Sequence, residues 1–359
     1  MSARWIRIIA AVIVFAVITY VGVVAFGNFS GAPDANGVNV TGANSFALIL
    51  AIALVAGFVA YALVEFLQTG RFESIARQFD TRTIVLMPLA IAINIILGQT
   101  VAAALKIPIY LDSIGTILVG VLAGPIPGAL TGFLANILWS YVVPPPFQGP
   151  ASAAFAIVAA VIGLFAGFAG RLGFMRPRPN RPISSLAIGA IVAIAVVGAM
   201  AFYAYDRYYR AGGFAFFGDL SKTDAVFVIF GWLVAALFAA ALIGFLALLF
   251  LRRDLTVAYV VVTGVATGMV AALISAPIAA NVFSGVTGAG TDFLVAAFRS
   301  AGSSIGDATF QQGLLSDPVD KLVTFFTVYL ILNAMARRTK ARFPQGEALI
   351  ETGEMEGLA

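Results

Sequence analysis

Residues 84–105 read IVLMPLAIAINIILGQTVAAAL, a stretch without a single charged side chain. A helix needs about 20 mostly apolar residues to cross the hydrocarbon core of a bilayer. The stretch meets that length, and its few polar residues, such as Asn94 and Gln99, stand out against the apolar background. It therefore predicts a membrane-spanning helix with polar groups placed at membrane depth.

The same apolar pattern recurs on both sides of this stretch. With 84–105 it gives about ten candidate spans, within a range of eight to twelve, the others being 6–26, 46–67, 113–124, 127–143, 152–171, 184–204, 225–250, 257–275 and 320–336. The spans at 113–124 and 127–143 are short, so they are either two helices, one broken helix or a re-entrant pair. The predicted fold class is an all-α, polytopic membrane helix bundle.

Composition supports the membrane assignment and excludes several kinds of chemistry. Hydrophobic residues make up 61% of the chain and charged residues 11%, whereas a soluble domain is roughly 45–50% apolar and about 25% charged. The chain has no cysteine and no histidine, which excludes disulfides, thiol nucleophiles and thiolate or imidazole metal sites. No basic stripe suited to nucleic acid occurs, and the sequence predicts neither a cofactor nor a catalytic residue.

The distribution of basic residues predicts the orientation of the bundle. Five basic clusters alternate with loops that hold almost no Lys or Arg: Arg4 and Arg7; Arg71, Arg77 and Arg82; Arg171, Arg176, Arg178 and Arg181; Arg252 and Arg253; and Arg337, Arg338, Lys340 and Arg342. Basic loops stay on the cytoplasmic side. With ten spans, both termini are then cytoplasmic, in a multi-pass protein of the cytoplasmic membrane. The first apolar run is too long for the core of a signal peptide, which favours an uncleaved helix.

Polar residues inside the apolar runs fall into three clusters that this topology places toward the outer side. The candidate binding residues from these clusters and their surroundings are Asn94, Gln99, Tyr110, Asp112, Thr116, Asn136, Trp139, Asn281, Thr287 and Asp292. Polar groups at membrane depth need a partner or a cavity. Gly- and Pro-interrupted segments also mark transporter binding sites. The clusters predict an outward-facing pocket for a small water-soluble organic solute.

Each candidate also has a purely structural interpretation. Asn94 and Asn136 could be interhelical hydrogen-bond partners, and Trp139 could belong to the interfacial aromatic belt. Asp112 could cap a helix that begins at Ser113, and Asp292 could cap a helix over 293–301. The run DPVDKL at 317–322 is interpreted mainly as the start of the last span, with its charges near a helix N-terminus.

Several short blocks in this order resemble a known family. They are KIPIYLDSIGT (106–116), GVLAGP (120–125), GALTG (128–132), the segment 276–292 and DPVDKL (317–322). They are similar to the substrate-specific S components of energy-coupling factor (ECF) transporters, and the resemblance covers about residues 83–340.

The resemblance implies a membrane-embedded binding subunit, not an enzyme, for a vitamin or similar micronutrient. Its partners would be a transmembrane T subunit and two cytoplasmic ATPases, and the loop 106–112 would help cover the solute. The implied organisation is an accessory helix pair over 1–70, a core over 83–340 and a disordered cytoplasmic tail over 343–359. The family core has six helices, fewer than the eight counted here after residue 83. An Ala-xxx-Ala docking pattern is replaced by Ala90-xxx-Asn94.

The alternative hypothesis is a stand-alone secondary transporter of a small organic solute. That class uses a coupling-ion site, often with carboxylates at mid-membrane. From the sequence, Asp112 and Asp292 are the plausible carboxylates, and both are expected near the outer surface. A membrane enzyme acting on lipid is disfavoured, because the Asp317-x-x-Asp320 pair lies on the predicted outer side.

Overall fold

The computed structural model describes residues 3–32, 38–105, 109–210 and 225–350, and within some helices it describes the backbone alone. These residues form helices and connecting loops, with no β-strand among them. The all-α fold predicted from the sequence is confirmed.

The helices follow one another along the chain with short connections. They are α1 (Ala3–Phe26), α2 (Val40–Thr69), α3 (Glu73–Ala76), α4 (Thr81–Gly98), α5 (Ile114–Ala123), α6 (Pro125–Tyr141), α7 (Ala156–Arg171), α8 (Ile183–Arg210), α9 (Ala225–Leu251), α10 (Thr256–Phe283), α11 (Asp292–Ser300), α12 (Ile305–Ala334) and α13 (Arg337–Ala341). A π-helical turn, Gln99–Ala104, extends α4, and a 3₁₀ turn, Ser152–Phe155, precedes α7.

Six helices in the described residues are long and apolar enough to cross a membrane, namely those over Ile6–Phe26, Val40–Thr69, Thr81–Ala102, Ser152–Arg171, Ile183–Tyr203 and Thr256–Phe283. Two shorter apolar helices cover Ile114–Ala123 and Leu242–Leu251. Many large apolar side chains on these helices are exposed, such as Val12 at 59% and Ile191 at 66%. Apolar surface of this kind suits contact with lipid, so the chain is a multi-pass membrane protein.

Two uncertain parts of the predicted topology are resolved. The spans 113–124 and 127–143 are separate helices, because Gly124 adopts a φ of 131° and α6 starts at Pro125. The predicted last span at 320–336 is longer than expected, since α12 already begins at Ile305. The charges and proline of 317–321 interrupt the apolar pattern without ending the helix, so the prediction that they open a helix is wrong.

Close helix packing in the core depends on small residues. A Cβ on Gly264 of α10 would lie 2.8 Å from the Cα of Leu322 on α12. Gly163 of α7 lies so close to the backbone of Gly128 on α6 that any side chain there would overlap it. Small residues let helix backbones approach within the membrane. The helices α4, α5, α6, α7, α10 and α12 pack together in this way, and α8 packs outside them against α10 and α12.

The first two helices form a hairpin against this core. Within the hairpin, the Arg7 guanidinium donates to the Glu65 carboxylate at 2.9 Å, and both side chains are buried. The α2 helix contacts α7, α10 and the 3₁₀ turn Ser152–Phe155. Residues 1–70, predicted to be an accessory pair, are therefore in direct contact with the rest of the bundle in their described part.

The basic segments meet at one end of the bundle. Arg82 donates to the carbonyl of Arg342 at 3.4 Å, and the backbone N–H of Arg178 donates to Asp254 at 3.1 Å. The Arg7 side chain also lies at this end, beside the last turn of α2. The clustering expected from the sequence is thus present in three dimensions, and we call this end the arginine-rich end.

Part of the predicted disordered tail is folded onto the arginine-rich end. The backbone N–H of Gln345 donates to the carbonyl of Leu122 at 2.9 Å, and Arg176 donates to the carbonyl of Ala348 at 3.0 Å. Leu349 and Ile350 are buried. The prediction of disorder over 343–359 is wrong for 343–350, because these apolar residues cover the ends of α5 and α7. Residues 351–359 lie outside the described residues.

Candidate functional site

A cavity of about 810 Å³ lies in the half of the bundle away from the arginine-rich end. Its walls come from the π-helical end of α4, from α6, α7, α10 and α12, and from the loops before α5, α7 and α11. Ligand pockets for small molecules commonly have volumes of about 300–1,000 Å³. The cavity is therefore large enough for a small organic molecule.

Seven of the ten residues predicted as candidates line this cavity, namely Gln99, Tyr110, Asp112, Asn136, Trp139, Thr287 and Asp292. These residues are distant in the sequence, and the bundle brings them to one chamber. The other three candidates, Asn94, Thr116 and Asn281, lie outside the cavity wall.

Asn94 and Thr116 join two helices below the cavity. The Asn94 amide donates to the Thr116 hydroxyl at 2.8 Å and accepts from the backbone N–H of Gly115 at 2.7 Å. Asn94 and Thr116 are buried, and the contacts match the interhelical interpretation left open for Asn94. Asn281 is exposed and donates to the carbonyl of Pro277 within its own helix at 2.8 Å.

The loop before α5 is fixed by a buried carboxylate of α12. One oxygen of Asp320 accepts from the backbone N–H groups of Tyr110 at 3.0 Å and Leu111 at 2.7 Å. The Tyr110 hydroxyl also lies 2.9 Å from that of Thr291, in the loop before α11. Leu111 has a φ of 51°, a left-handed conformation that costs energy for a leucine. The loop is thus held over one side of the cavity. Residues 106–108, the first part of the predicted covering loop, lie outside the described residues.

Lys321 is the centre of a charged cluster that the sequence analysis did not assign to the site. Its ammonium pairs closely with the Asp320 carboxylate and donates to the Ser113 hydroxyl at 2.8 Å. It also lies 3.8 Å from Asp112, and its side chain is 4% exposed. Asp112 therefore faces Lys321 and the cavity. It does not cap α5, whose N-cap position belongs to Ser113.

Asp317 adds a second carboxylate to the cavity wall, one helical turn before Lys321. It is 5% exposed. Its oxygens accept from the Ser275 hydroxyl of α10 at 3.1 Å and from the Ser316 hydroxyl at 3.3 Å. The spacing of Asp317 and Lys321 on one face of a helix was visible in the sequence. Its meaning was missed because Pro318 suggested a helix start there.

Trp139 forms part of the cavity wall and is not an interfacial belt residue. It is 7% exposed, and its indole N–H donates to the carbonyl of Phe147 at 2.9 Å. The next residue, Ser140, donates to the carbonyl of Gly149 at 2.6 Å and accepts from the backbone N–H of Ala153 at 2.8 Å. These bonds fix the loop between α6 and α7 around the indole ring.

Asp292 organises the loop before α11 and does not cap that helix. Its carboxylate accepts from the backbone N–H groups of Thr287 at 3.0 Å and Gly288 at 2.7 Å, and from the Thr287 hydroxyl at 2.7 Å. The N-cap position belongs to Thr291. Further along the loop, the backbone N–H of Gly290 donates to the carbonyl of Ala102 at 3.1 Å. The loop is thereby attached to the end of α4 across the cavity.

Within the described residues, no group of three or more carboxylates is arranged to hold a metal ion. The described wall combines carboxylates, an ammonium group, amides, hydroxyls and aromatic rings around a space of small-molecule size. Such a wall can bind and orient a polar organic guest through hydrogen bonds and charge.

Neither a protein-family model, nor a curated protein, nor a solved structure matches this chain. The interpretation of the site therefore depends on its own residues and contacts.

Proposed function

We propose that this chain is the membrane-embedded, solute-binding subunit of an ECF-type ATP-driven importer for a vitamin or similar micronutrient. The observation that carries the proposal is the cavity of about 810 Å³, lined by polar residues from separate helices and placed away from the arginine-rich end. A chamber of this kind binds a small solute within the membrane.

The arrangement of helices supports the proposal. The helices α4 to α7, α10 and α12 pack around or beneath the cavity, and α8 packs outside. This division accounts for the helices that the sequence counted beyond the six-helix core of the S components. The loop over 109–112, fixed by Asp320, lies where the resemblance expects a segment that covers the solute.

The orientation of the bundle gives the cavity a direction. By the positive-inside rule, the arginine-rich end faces the cytoplasm. Both described ends of the chain, at Arg7 and at Ala348, belong to this end. The cavity then opens toward the exterior, where an uptake system captures its solute. In this proposal a transmembrane T subunit and two cytoplasmic ATPases supply the energy.

Native mass spectrometry of the gently purified protein tests solute binding first. We expect a small molecule to co-purify with the wild type and to be lost in Trp139→Ala, which removes a wall of the cavity. Trp232→Ala is the matched control, because Trp232 is 43% exposed on α9 and does not line the cavity. Retention of the molecule in Trp139→Ala, or its loss from both variants alike, would contradict the cavity assignment.

Reconstitution into liposomes then tests the division of labour between subunits. The chain alone should bind the solute identified by mass spectrometry without concentrating it. Accumulation should require the T subunit, the ATPases and ATP. Accumulation by the chain alone overturns the assignment to an ATP-driven importer.

One observation favours stand-alone secondary transport as a second candidate. Asp317, Asp320 and Lys321 are buried in the middle of α12, near the cavity, and buried ionisable groups at this depth often couple transport to ions. In that case an imposed proton or sodium gradient should drive uptake by the chain alone, and Asp317→Asn should abolish the response. Uptake that ignores both gradients excludes this candidate.

A further inference from the structure

We infer that the cavity selects a small organic cation, an ammonium-type solute with an apolar or aromatic body. The inference rests on the proposed solute-binding function and adds the chemical class of the solute. It is carried by the balance of charge and aromatic surface in the cavity wall.

The cavity wall carries more negative than positive charge. Its charged residues within the described chain are Asp112, Asp292, Asp317 and Lys321. The positive charge of Lys321 is already engaged from behind the wall by Asp320, which is fully buried. The carboxylates of the wall are therefore not balanced by Lys321.

The wall carboxylates differ in how they are satisfied. Asp292 accepts hydrogen bonds from two backbone N–H groups and a hydroxyl, so its oxygens are used by the loop before α11. Asp317 accepts from the hydroxyls of Ser275 and Ser316, which donate hydrogen bonds but contribute no formal charge. Asp112 shares the ammonium of Lys321 at 3.8 Å. Asp317 and Asp112 are thus the carboxylates best placed to meet a guest.

A cationic guest improves this arrangement, whereas an anionic guest makes it worse. A carboxylate buried without a counter-charge loses several kcal/mol of solvation. A guest ammonium group placed between Asp317 and Asp112 would supply the missing positive charge and donate hydrogen bonds to both. A guest carboxylate in the same place would add a like charge to the wall.

The uncharged part of the wall fits the same class of solute. The rings of Tyr110, Trp139, Phe155 and Phe293 line the cavity, and aromatic faces attract organic cations. Gln99 also lines it, and its side-chain oxygen accepts no hydrogen bond within the described chain. An N–H donor on a guest is the group that such an oxygen requires.

Ligand-induced thermal stabilisation of the purified protein in detergent tests this inference with probes of matched shape. The probes are phenethylamine, 2-phenylethanol and phenylacetate, which are cationic, neutral and anionic at pH 7. We expect the amine to bind the wild type at least about tenfold more tightly than the other two, a difference of about 1.4 kcal/mol.

Two variants and a control connect the selectivity to the named carboxylates. Asp317→Asn and Asp112→Asn should each weaken amine binding by about tenfold or more and leave 2-phenylethanol unchanged. Asp307→Asn makes the same change of charge on an exposed residue of α12 and should keep wild-type affinity. Asp112 is the less buried of the two wall carboxylates. Its variant therefore keeps the test decisive if Asp317→Asn does not fold.

The outcomes separate this inference from the proposed function. Equal or tighter binding of phenylacetate or 2-phenylethanol overturns the cation selectivity and leaves solute binding intact, as does a co-purified solute that is neutral or anionic. Failure of all three probes to bind also rejects the inference. If, in addition, no molecule co-purifies with the wild type, the proposed binding function fails with it.

Discussion

Asn94 and Lys321 are both buried between helices near α5, yet their surroundings differ in kind. The Asn94 amide is neutral, and its bonds to Thr116 and Gly115 join α4 to α5 away from the cavity. The Lys321 ammonium is charged, pairs with more than one carboxylate and borders the cavity. Burial of a polar group therefore does not identify a site by itself. An unbalanced charge beside a chamber is the stronger indication.

The largest effect should come from Asp320→Ala in the charged cluster. The change leaves the buried Lys321 ammonium without its closest counter-charge and removes the acceptor for the N–H groups of Tyr110 and Leu111. Breaking a buried ion pair by removing one partner costs about 3–5 kcal/mol. Chemical unfolding in detergent should show a loss of that size, and hydrogen exchange should increase at the amides of 109–112.

The control for this prediction is Asp307→Ala on the same helix. Asp307 is exposed and belongs to the N-terminal turn of α12, so its loss should cost about 1 kcal/mol or less. Equal effects of the two substitutions would show that the charged cluster contributes no more to the fold than a surface carboxylate does.

An intermediate effect is expected from Asn94→Ala in the neutral pair. The substitution removes the bonds to Thr116 and Gly115, and interhelical hydrogen bonds of this kind contribute about 1–2 kcal/mol. Unfolding should become easier by this amount, while the affinity for the co-purified solute should stay at the wild-type value. Asn281→Ala, which removes an exposed amide, should change neither quantity. A loss of affinity without a loss of stability in Asn94→Ala would place Asn94 in the site.

The helical membrane fold could be predicted because hydropathy is a local property. Uncharged runs such as 84–105 already define a span by length and composition. The prediction failed where charge and proline occur inside a helix. In α12 the cost of Asp317, Asp320 and Lys321 is offset by one another and by the residues around them, namely Ser275, Ser113 and the loop amides of Tyr110 and Leu111. These compensating groups are far away in the sequence, so no window along the chain could reveal them.

The candidate site was predicted in part for the same reason. Polar residues that interrupt apolar runs, such as Gln99, Asn136 and Trp139, could be selected from the sequence, and these three line the cavity. Whether such a residue faces a chamber or another helix depends on helix rotation and partner choice. Asn94 and Gln99 belong to the same apolar run, yet Asn94 turns toward Thr116 and Gln99 lines the cavity. That distinction is tertiary, and the sequence pattern does not contain it.

The smallest effect concerns Gly98, which lies on α4 between these two residues. A Cβ at this position would lie 2.8 Å from the Trp139 ring and 3.1 Å from the Cβ of Asp112. Gly98→Ala should therefore displace the ring by a fraction of an ångström, lower stability by about 1 kcal/mol and weaken solute affinity a few-fold. Gly198→Ala is the matched control, since nothing lies within 4 Å of a Cβ there. It should be neutral or slightly stabilising, because alanine favours a helix more than glycine does. If titration of both variants gave wild-type affinity, the contact between α4 and the Trp139 wall would have no part in binding. The cavity would then owe its selectivity to the charged cluster alone.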